Sequence, residues 1–207
     1  KEKNFFHWNL EFPKVFEGDQ RKEKPGFDAV VGNPPYGAVF DSNEKPWLKT
    51  HFTTSSYNLD SFSFFVEKFA QLVPCLHFGM IIPNTWCSID DGLSLRRLLL
   101  EHKTIDSIVD TGNVFESAEI TTMLLLFRYK LPSKDHAIGI RRVSYESALE
   151  TRLDDIRSER WSSSFAVTQT EFLAHPKAVL NFFVNPNERK VISHIKSKSI
   201  SLGTISD

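Results

Sequence analysis

Two consecutive prolines placed directly after a short apolar run constrain this chain more than any other feature. Residues 27–31 have the length and apolar character of a buried strand, and Gly32 separates them from Asn33-Pro34-Pro35-Tyr36. Proline fixes φ near about −65°, lacks an N–H donor, and pushes the preceding residue out of the helical region. The strand must therefore end in a stiff turn. In open α/β folds, the carboxyl edge of the sheet is where ligands bind.

Helical and strand patterns alternate after this turn. A short connection joins the last two strands, too short for a parallel crossover, so the last strand should run antiparallel. The order is typical of one side of a doubly wound α/β sheet with flanking helices. The predicted elements are a helix at 59–73, a strand at 78–82, a helix at 93–102 and strands at 105–110 and 121–129.

Other segments give weaker patterns. Residues 37–57 show little periodicity and predict a long loop, of a length that is usually functional or mobile. In the second helix, Arg96 and Arg97 are expected to face outward. Toward the C-terminus the periodicity fades, leaving a partly helical segment at 144–160 and a helix at 187–198.

Composition excludes several classes of protein. The chain has 207 residues, 41% of them hydrophobic, and a net charge of −1, whereas an autonomous nucleic-acid-binding module is normally basic. Cys75 and Cys87 form no CxxC pair and predict reduced intracellular thiols. The seven histidines are scattered, which predicts no metal site, and no apolar run reaches the ~20 residues that span a bilayer. A soluble cytoplasmic protein is therefore expected.

The Asn33–Tyr36 turn suits one kind of chemistry. The Asn33 side-chain oxygen and the backbone carbonyls form a rigid row of hydrogen-bond acceptors, and Tyr36 adds an aromatic face. An exocyclic amino group on a base is a poor nucleophile, and acceptors on its hydrogens stabilise the charge that develops during methyl transfer. A base inside a duplex must first be flipped out and stacked, for which the ring is suited.

Four stretches of the sequence are similar to motifs of the Eco57I-type family of DNA adenine methyltransferases, which includes bifunctional type II restriction–modification enzymes. Residues 7–16 resemble its HW-x-LEFP-x-VF lead-in, and residues 27–37 resemble its FD-x-V-x-GNPPYG motif. Residues 79–86 and 110–115 resemble two further strand ends. The resemblance implies an α/β fold: the C-terminal half of the Rossmann-like sheet of a class I methyltransferase that depends on S-adenosylmethionine. It also implies the reaction, which is transfer of a methyl group to N6 of adenine.

The resemblance also implies roles for individual residues. Asn33 and the Pro34 carbonyl would hold the target amino group, and Tyr36 would stack on the flipped base. For Phe115 and Trp86, an ordinary role as core aromatic residues is an open alternative. The site implied by the family comprises catalytic Asn33, Pro34, Pro35 and Tyr36, with Phe115, Pro83 and Trp86 around the base.

The family's main cofactor site lies in an earlier half of the sheet, so the cofactor-binding residues stay unknown and the chain alone is expected to be inactive. Residues 1–140 are assigned to the C-terminal half of the catalytic domain, and residues 141–207 to a linker and the start of a target-recognition region. Without its neighbour, the strand at 27–31 should present an exposed edge. Double-stranded DNA is the expected partner; the oligomeric state and a fused endonuclease are open.

Two other functions remain open at the level of sequence. The same tetrapeptide serves methyltransferases that act on ribosomal RNA or on protein glutamine. A non-catalytic binding module that retains the sheet is the third hypothesis.

Overall fold

The structure, a computed structural model, describes residues 6–17, 26–55, 60–72, 77–115 and 119–199. Over these residues the strands are β1 (Ala29–Gly32), β2 (His77–Pro83), β3 (Thr104–Gly112), β4 (Thr122–Arg128), β5 (Ala137–Arg142) and β6 (Ser163–Thr168). The α-helices are α1 (Trp8–Glu11), α2 (Pro13–Phe16), α3 (Glu44–His51), α4 (Ser61–Leu72), α5 (Leu93–His102), α6 (Leu149–Arg157), α7 (Gln169–Leu173) and α8 (Pro186–Lys198). Two short 3₁₀ turns, Thr85–Cys87 and Asp90–Gly92, connect β2 to α5.

The six strands form one mixed sheet in the order β1-β2-β4-β3-β5-β6. β1 is parallel to β2, and β3 is parallel to β5. β4 runs antiparallel between β2 and β3, as predicted, and β6 runs antiparallel to β5. The carboxyl ends of β1, β2, β3 and β5 consequently meet at one edge of the sheet.

The core lies where the central strands meet the helices. Phe78 of β2 stacks on Phe127 of β4, with ring centroids 4.6 Å apart and planes 7° apart. Phe62 and Val66 of α4 are buried in the same cluster, together with Leu99 of α5. Burying each such side chain contributes about 1.5–3 kcal/mol, so these contacts fix the sheet on which the edge loops are mounted.

Three sequence expectations need correction. The predicted loop contains helix α3, which begins after Asp41 because the Oδ1 atom of Asp41 accepts hydrogen bonds from the N–H groups of Asn43 and Glu44, both at 2.8 Å. Arg96 is fully buried rather than outward-facing, because carbonyl groups surround its guanidinium. The strands β5 and β6 were not predicted, because the pattern of β6 is mostly half-exposed.

The C-terminal region extends the sheet. β5 spans position 140, where the sequence divides the chain into two regions; that division stays a prediction. Helix α8 begins as expected, with a capping box in which the Asn185 side chain accepts from the N–H of Glu188 and the Glu188 side chain accepts from the N–H of Asn185. Predictions for Cys75 and for residues 200–207 lie outside the described residues.

Among the described strands, β1 lies at one end of the sheet, as expected for an exposed edge. It is not the buried strand that its apolar sequence predicts, because Ala29, Val31 and Gly32 are exposed at this edge position. Among the residues that the structure describes, no helix is long and apolar enough to cross a membrane.

Candidate active site

The Asn33–Tyr36 turn follows β1 at the sheet edge and is fixed to the beginning of α4. The hydroxyl of Ser61, a buried residue, donates to the Pro35 carbonyl at 2.6 Å and accepts from the Ala38 N–H at 3.3 Å. The Gly37 N–H donates to Asp60 at 3.2 Å, and Gly37 adopts φ +63°, a conformation that favours glycine. The turn is therefore held by side chains as well as by its own prolines.

Tyr36 joins the turn to the neighbouring strand. Its hydroxyl lies 2.6 Å from Oδ1 of Asn33 and 2.8 Å from the carbonyl oxygen of Ile81 in β2. Burial raises the pKa of Tyr36, so the hydroxyl keeps its proton at neutral pH. A tyrosine hydroxyl has one hydrogen, and the two acceptors compete for it.

Two other aromatic rings lie against Tyr36. The ring of Tyr36 meets Phe62 edge to face at a centroid distance of 6.4 Å and Phe115 at 6.5 Å. Phe115 lies in the segment after β3, where its N–H donates to Oδ1 of Asn113 at 3.1 Å. Asn33 is exposed and Phe115 is half-buried.

The two remaining residues implied by the family follow β2. Pro83 ends that strand and is buried, and Trp86, 2% exposed, belongs to the main core. Trp86 also contributes to a cavity of about 420 Å³ beside the turn, whose wall includes Gly37, Ala38, Lys45, Lys49, Phe62 and Trp86. The structure thus brings Asn33, Tyr36 and Phe115 together and places Trp86 at an adjacent cavity, while the roles of all seven residues remain predictions.

Helix α3 presents basic and aromatic side chains at the same edge. Trp47 is 55% exposed and stacks on His51, with ring centroids 4.1 Å apart, while Lys45 and Lys49 line the cavity. The segment after α3 is anchored by the buried carboxylate of Glu67, which accepts four hydrogen bonds of 2.7–3.0 Å from the backbone and hydroxyl groups of Thr53 and Thr54.

Sequence reasoning did not identify Ser61 or Glu67 as residues that support the site. Both are polar side chains on α4, in a helix otherwise rich in phenylalanine, and both are buried. A buried polar residue in an apolar helix needs hydrogen-bond partners, so that pattern was the available signal.

Comparison with known proteins identifies a family and related sequences. The model of the Eco57I restriction-modification methylase family matches residues 1–115. The type II restriction enzyme and methyltransferase RM.Eco57I of Escherichia coli is 30% identical over 107 residues, covering 48% of this chain and 11% of that protein. The type II methyltransferase M.TthHB8I of Thermus thermophilus is 32% identical over 139 residues, covering 58% of this chain and 31% of its own length.

A solved structure shares the fold. The methyltransferase subunit of a type I restriction-modification system from Streptococcus thermophilus superposes with a TM-score of 0.54 at 17% identity, covering 80% of this chain and 40% of that one. The chain spans between 11% and 31% of the length of the two curated relatives described above. With more than half of its residues matched by the family model, the chain belongs to the Eco57I restriction-modification methylase family.

Proposed function

We propose that this chain carries the target-base side of a DNA methyltransferase that transfers a methyl group from S-adenosylmethionine to N6 of a flipped adenine, within a type II restriction–modification enzyme. The observation that carries the proposal is the exposed Asn33 at the sheet edge, whose amide oxygen lies 2.6 Å from the Tyr36 hydroxyl. The Asn33 amide oxygen and the Pro34 carbonyl follow a strand end that is fixed by Ser61 and by the Tyr36 hydroxyl.

The competition for the Tyr36 hydrogen supports this role. Without substrate, the hydroxyl of Tyr36 lies within hydrogen-bond distance of Asn33 Oδ1, which satisfies an exposed acceptor. An incoming amino group can donate to Asn33 in its place, and the hydroxyl can then donate to Ile81 alone, at 2.8 Å. The base thus gains an acceptor without leaving a buried donor unpaired, which avoids a cost of about 1–3 kcal/mol.

The ring of Tyr36 and the ring of Phe115 are the surfaces between which the adenine is proposed to lie. Base–aromatic stacking contributes about 1–3 kcal/mol per base, which offsets part of the cost of unstacking the base from a duplex. In the present arrangement the two rings meet at an angle of 65°, so one of them must turn before a base can lie flat against both.

The residues at the turn fit a neighbouring sulfonium. Asn33, Pro34, Pro35, Tyr36 and Phe115 are all uncharged, so they place no cation beside it. When bound, S-adenosylmethionine supplies an electrophilic methyl group. This chain's own contribution is to orient the amino nitrogen and to accept its hydrogens while positive charge develops there.

DNA is proposed as the partner that delivers the base. The exposed Trp47 and the lysines Lys45 and Lys49 lie on α3, in the segment that follows the turn, and lysines of this kind neutralise backbone phosphates. The alternatives are a methyltransferase acting on ribosomal RNA or protein glutamine, or a module without catalysis. The basic and aromatic character of α3 favours a nucleic acid over a peptide, and the resemblance at residues 7–16 favours the DNA family.

The test is methyl transfer from isotopically labelled S-adenosylmethionine by the natural gene product that contains this chain. Unmodified genomic DNA, ribosomal RNA and a protein extract are offered separately, and labelled DNA is digested to nucleosides. Asn33→Ala removes the proposed acceptor, and Asn187→Ala, an exposed asparagine on α8, is the matched control.

We expect labelled N6-methyladenine with the wild type and with Asn187→Ala, and a loss of at least 100-fold, on the order expected for removing a group that stabilises transition-state charge, with Asn33→Ala. Label in RNA or protein but not in DNA would refute the DNA proposal. Equal label with Asn33→Ala would refute the acceptor role of that residue.

A further inference from the structure

The segment that carries Phe115 is held in place by a side chain of helix α6. Nη2 of Arg152, in α6, donates to the backbone carbonyl of Asn113 at 2.6 Å. The side chain of Asn113 in turn accepts from the N–H of Phe115 at 3.1 Å. Two consecutive hydrogen bonds therefore connect α6 to the backbone of the proposed base wall.

The end of β3 just before this segment is clamped as well. The Tyr145 hydroxyl donates to the fully buried carboxylate of Asp110 at 2.6 Å, and Nε of Arg142 donates to it at 3.1 Å. The Tyr145 ring covers Gly112, where an added Cβ would lie 3.1 Å from two ring carbons. Gly112 has φ +65°, so the chain turns sharply there and directs the next residues towards the site.

The bonding of Arg152 is incomplete in a way that favours a positioning role. Its Nε is buried and has no hydrogen-bond partner among the described residues. A buried N–H without a partner lowers the stability of the fold. If Arg152 only packed against its neighbours, an aliphatic side chain at this position would make the protein more stable. Among the described residues, the guanidinium donates one hydrogen bond, the one to the Asn113 carbonyl.

We infer that Arg152 is a positioning residue that fixes the backbone of the Asn113–Phe115 segment, so that Phe115 closes on the flipped base. This inference rests on the proposed function. The hydrogen bonds hold the backbone of the segment and do not involve the Phe115 ring, which meets Tyr36 at 65°.

The experiment compares Arg152→Ala, Arg152→Lys and the control Arg157→Ala in the natural gene product. Arg157 is exposed at the end of the same helix. The first readout is the hydrogen-exchange rate of the Phe115 amide together with the global unfolding midpoint, and it needs no substrate. The second is the kcat and KM of DNA methylation, measured also in a Phe115→Ala background.

We expect Arg152→Ala to speed exchange of the Phe115 amide at least tenfold without lowering the global midpoint to the same extent, and to lower kcat about tenfold with little change in the KM for cofactor. Arg152→Lys, which keeps a charged donor group, should lose less in both measurements. In the Phe115→Ala background, Arg152→Ala should change kcat less than about twofold, because the aromatic ring that Arg152 is proposed to position is already absent.

Unchanged exchange at Phe115 in Arg152→Ala, or a loss of kcat that is fully additive with Phe115→Ala, would overturn the inference. If the wild type methylates no DNA, the proposed function fails. The positioning role of Arg152 is still supported in that case if Arg152→Ala speeds hydrogen exchange at the Phe115 amide and not across the whole protein. Arg157→Ala behaving like Arg152→Ala would mean that any loss of charge on α6 has the effect, and would also overturn it.

Discussion

Ser61→Ala separates the stability of α4 from the geometry of the catalytic turn. Ser61 lies at the start of that helix, 2% exposed, and its hydroxyl both donates to the Pro35 carbonyl and accepts from the Ala38 N–H. Alanine preserves the helix and the packing volume but removes both hydrogen bonds. The turn then keeps its proline restraints, the Tyr36 hydroxyl bond and the bond from the Gly37 N–H to Asp60, and loses both bonds to Ser61.

The magnitude follows from these two bonds. The bond to Pro35 is short, at 2.6 Å, and the bond from Ala38 is long, at 3.3 Å, so the first carries most of the effect. Pro35 is exposed, and water can reach its carbonyl in the variant. We therefore expect a loss near the lower end for an unmade hydrogen bond, about 1–2 kcal/mol. If that loss is felt fully in the transition state, the rate of methyl transfer falls roughly 5- to 30-fold.

The matched control is Ser63→Ala. Ser63 is also buried on α4, but its hydroxyl donates only to the Asp60 carbonyl at 2.6 Å, within the same helical turn. Urea unfolding of the 207-residue chain should show both variants destabilised by about 1–2 kcal/mol. Single-turnover methyl transfer by the natural gene product should be slowed only by Ser61→Ala. Equal rates for the two variants would refute the reasoning that Ser61 positions the turn.

Three further changes test other parts of the structure. Gly92→Ala should lower stability by about 1–3 kcal/mol, seen as a lower urea midpoint, because the new Cβ would overlap the Trp86 carbonyl oxygen; an unchanged midpoint would contradict that packing. Burial lowers the pKa of Lys103 from 10.5 to about 8, so the free energy of unfolding of the wild type should rise as the pH rises between these values. Lys103→Met should be more stable than the wild type at pH 7, and this difference in the free energy of unfolding should shrink by pH 10. A difference that stays constant with pH would count against the burial effect. Lys45→Ala should weaken DNA binding for all sequences alike and lower the slope of log K against log salt by about one; a sequence-dependent loss would argue against a phosphate contact.

The parts of the fold predictable from sequence are those with strong apolar periodicity. The central strands β2, β3 and β4 and helix α5 were recognisable because their residues are buried in regular patterns. The antiparallel direction of β4 followed from the shortness of its connection to β3. By contrast, β6 has a single fully buried residue, Val167, so its pattern does not stand out from a loop.

The site was predictable to the extent that it is local in sequence. The tetrapeptide Asn33–Tyr36 carries its own geometry, and the resemblance to the family located Phe115 at a distance along the chain. The supports were not predictable in this way. Arg152 and Ser61 act through backbone carbonyls of distant residues, and a backbone acceptor has no signature in the sequence of the residue that provides it. Likewise, Arg96 looked like a surface cation until its carbonyl partners became visible.

The position of the turn on an edge strand has a consequence for how the site is assembled. β1 pairs with β2 along one side, and the hydrogen bonds of the turn run to β2 through Tyr36 and to α4 through Ser61. The acceptor geometry therefore depends on contacts made to β2 and α4. The side chain of Val31 instead projects from a face of the sheet beside Gly79 of β2, and it is 83% exposed. A substitution at Val31 should therefore leave the Asn33–Tyr36 hydrogen bond in place, because that bond does not involve the Val31 side chain.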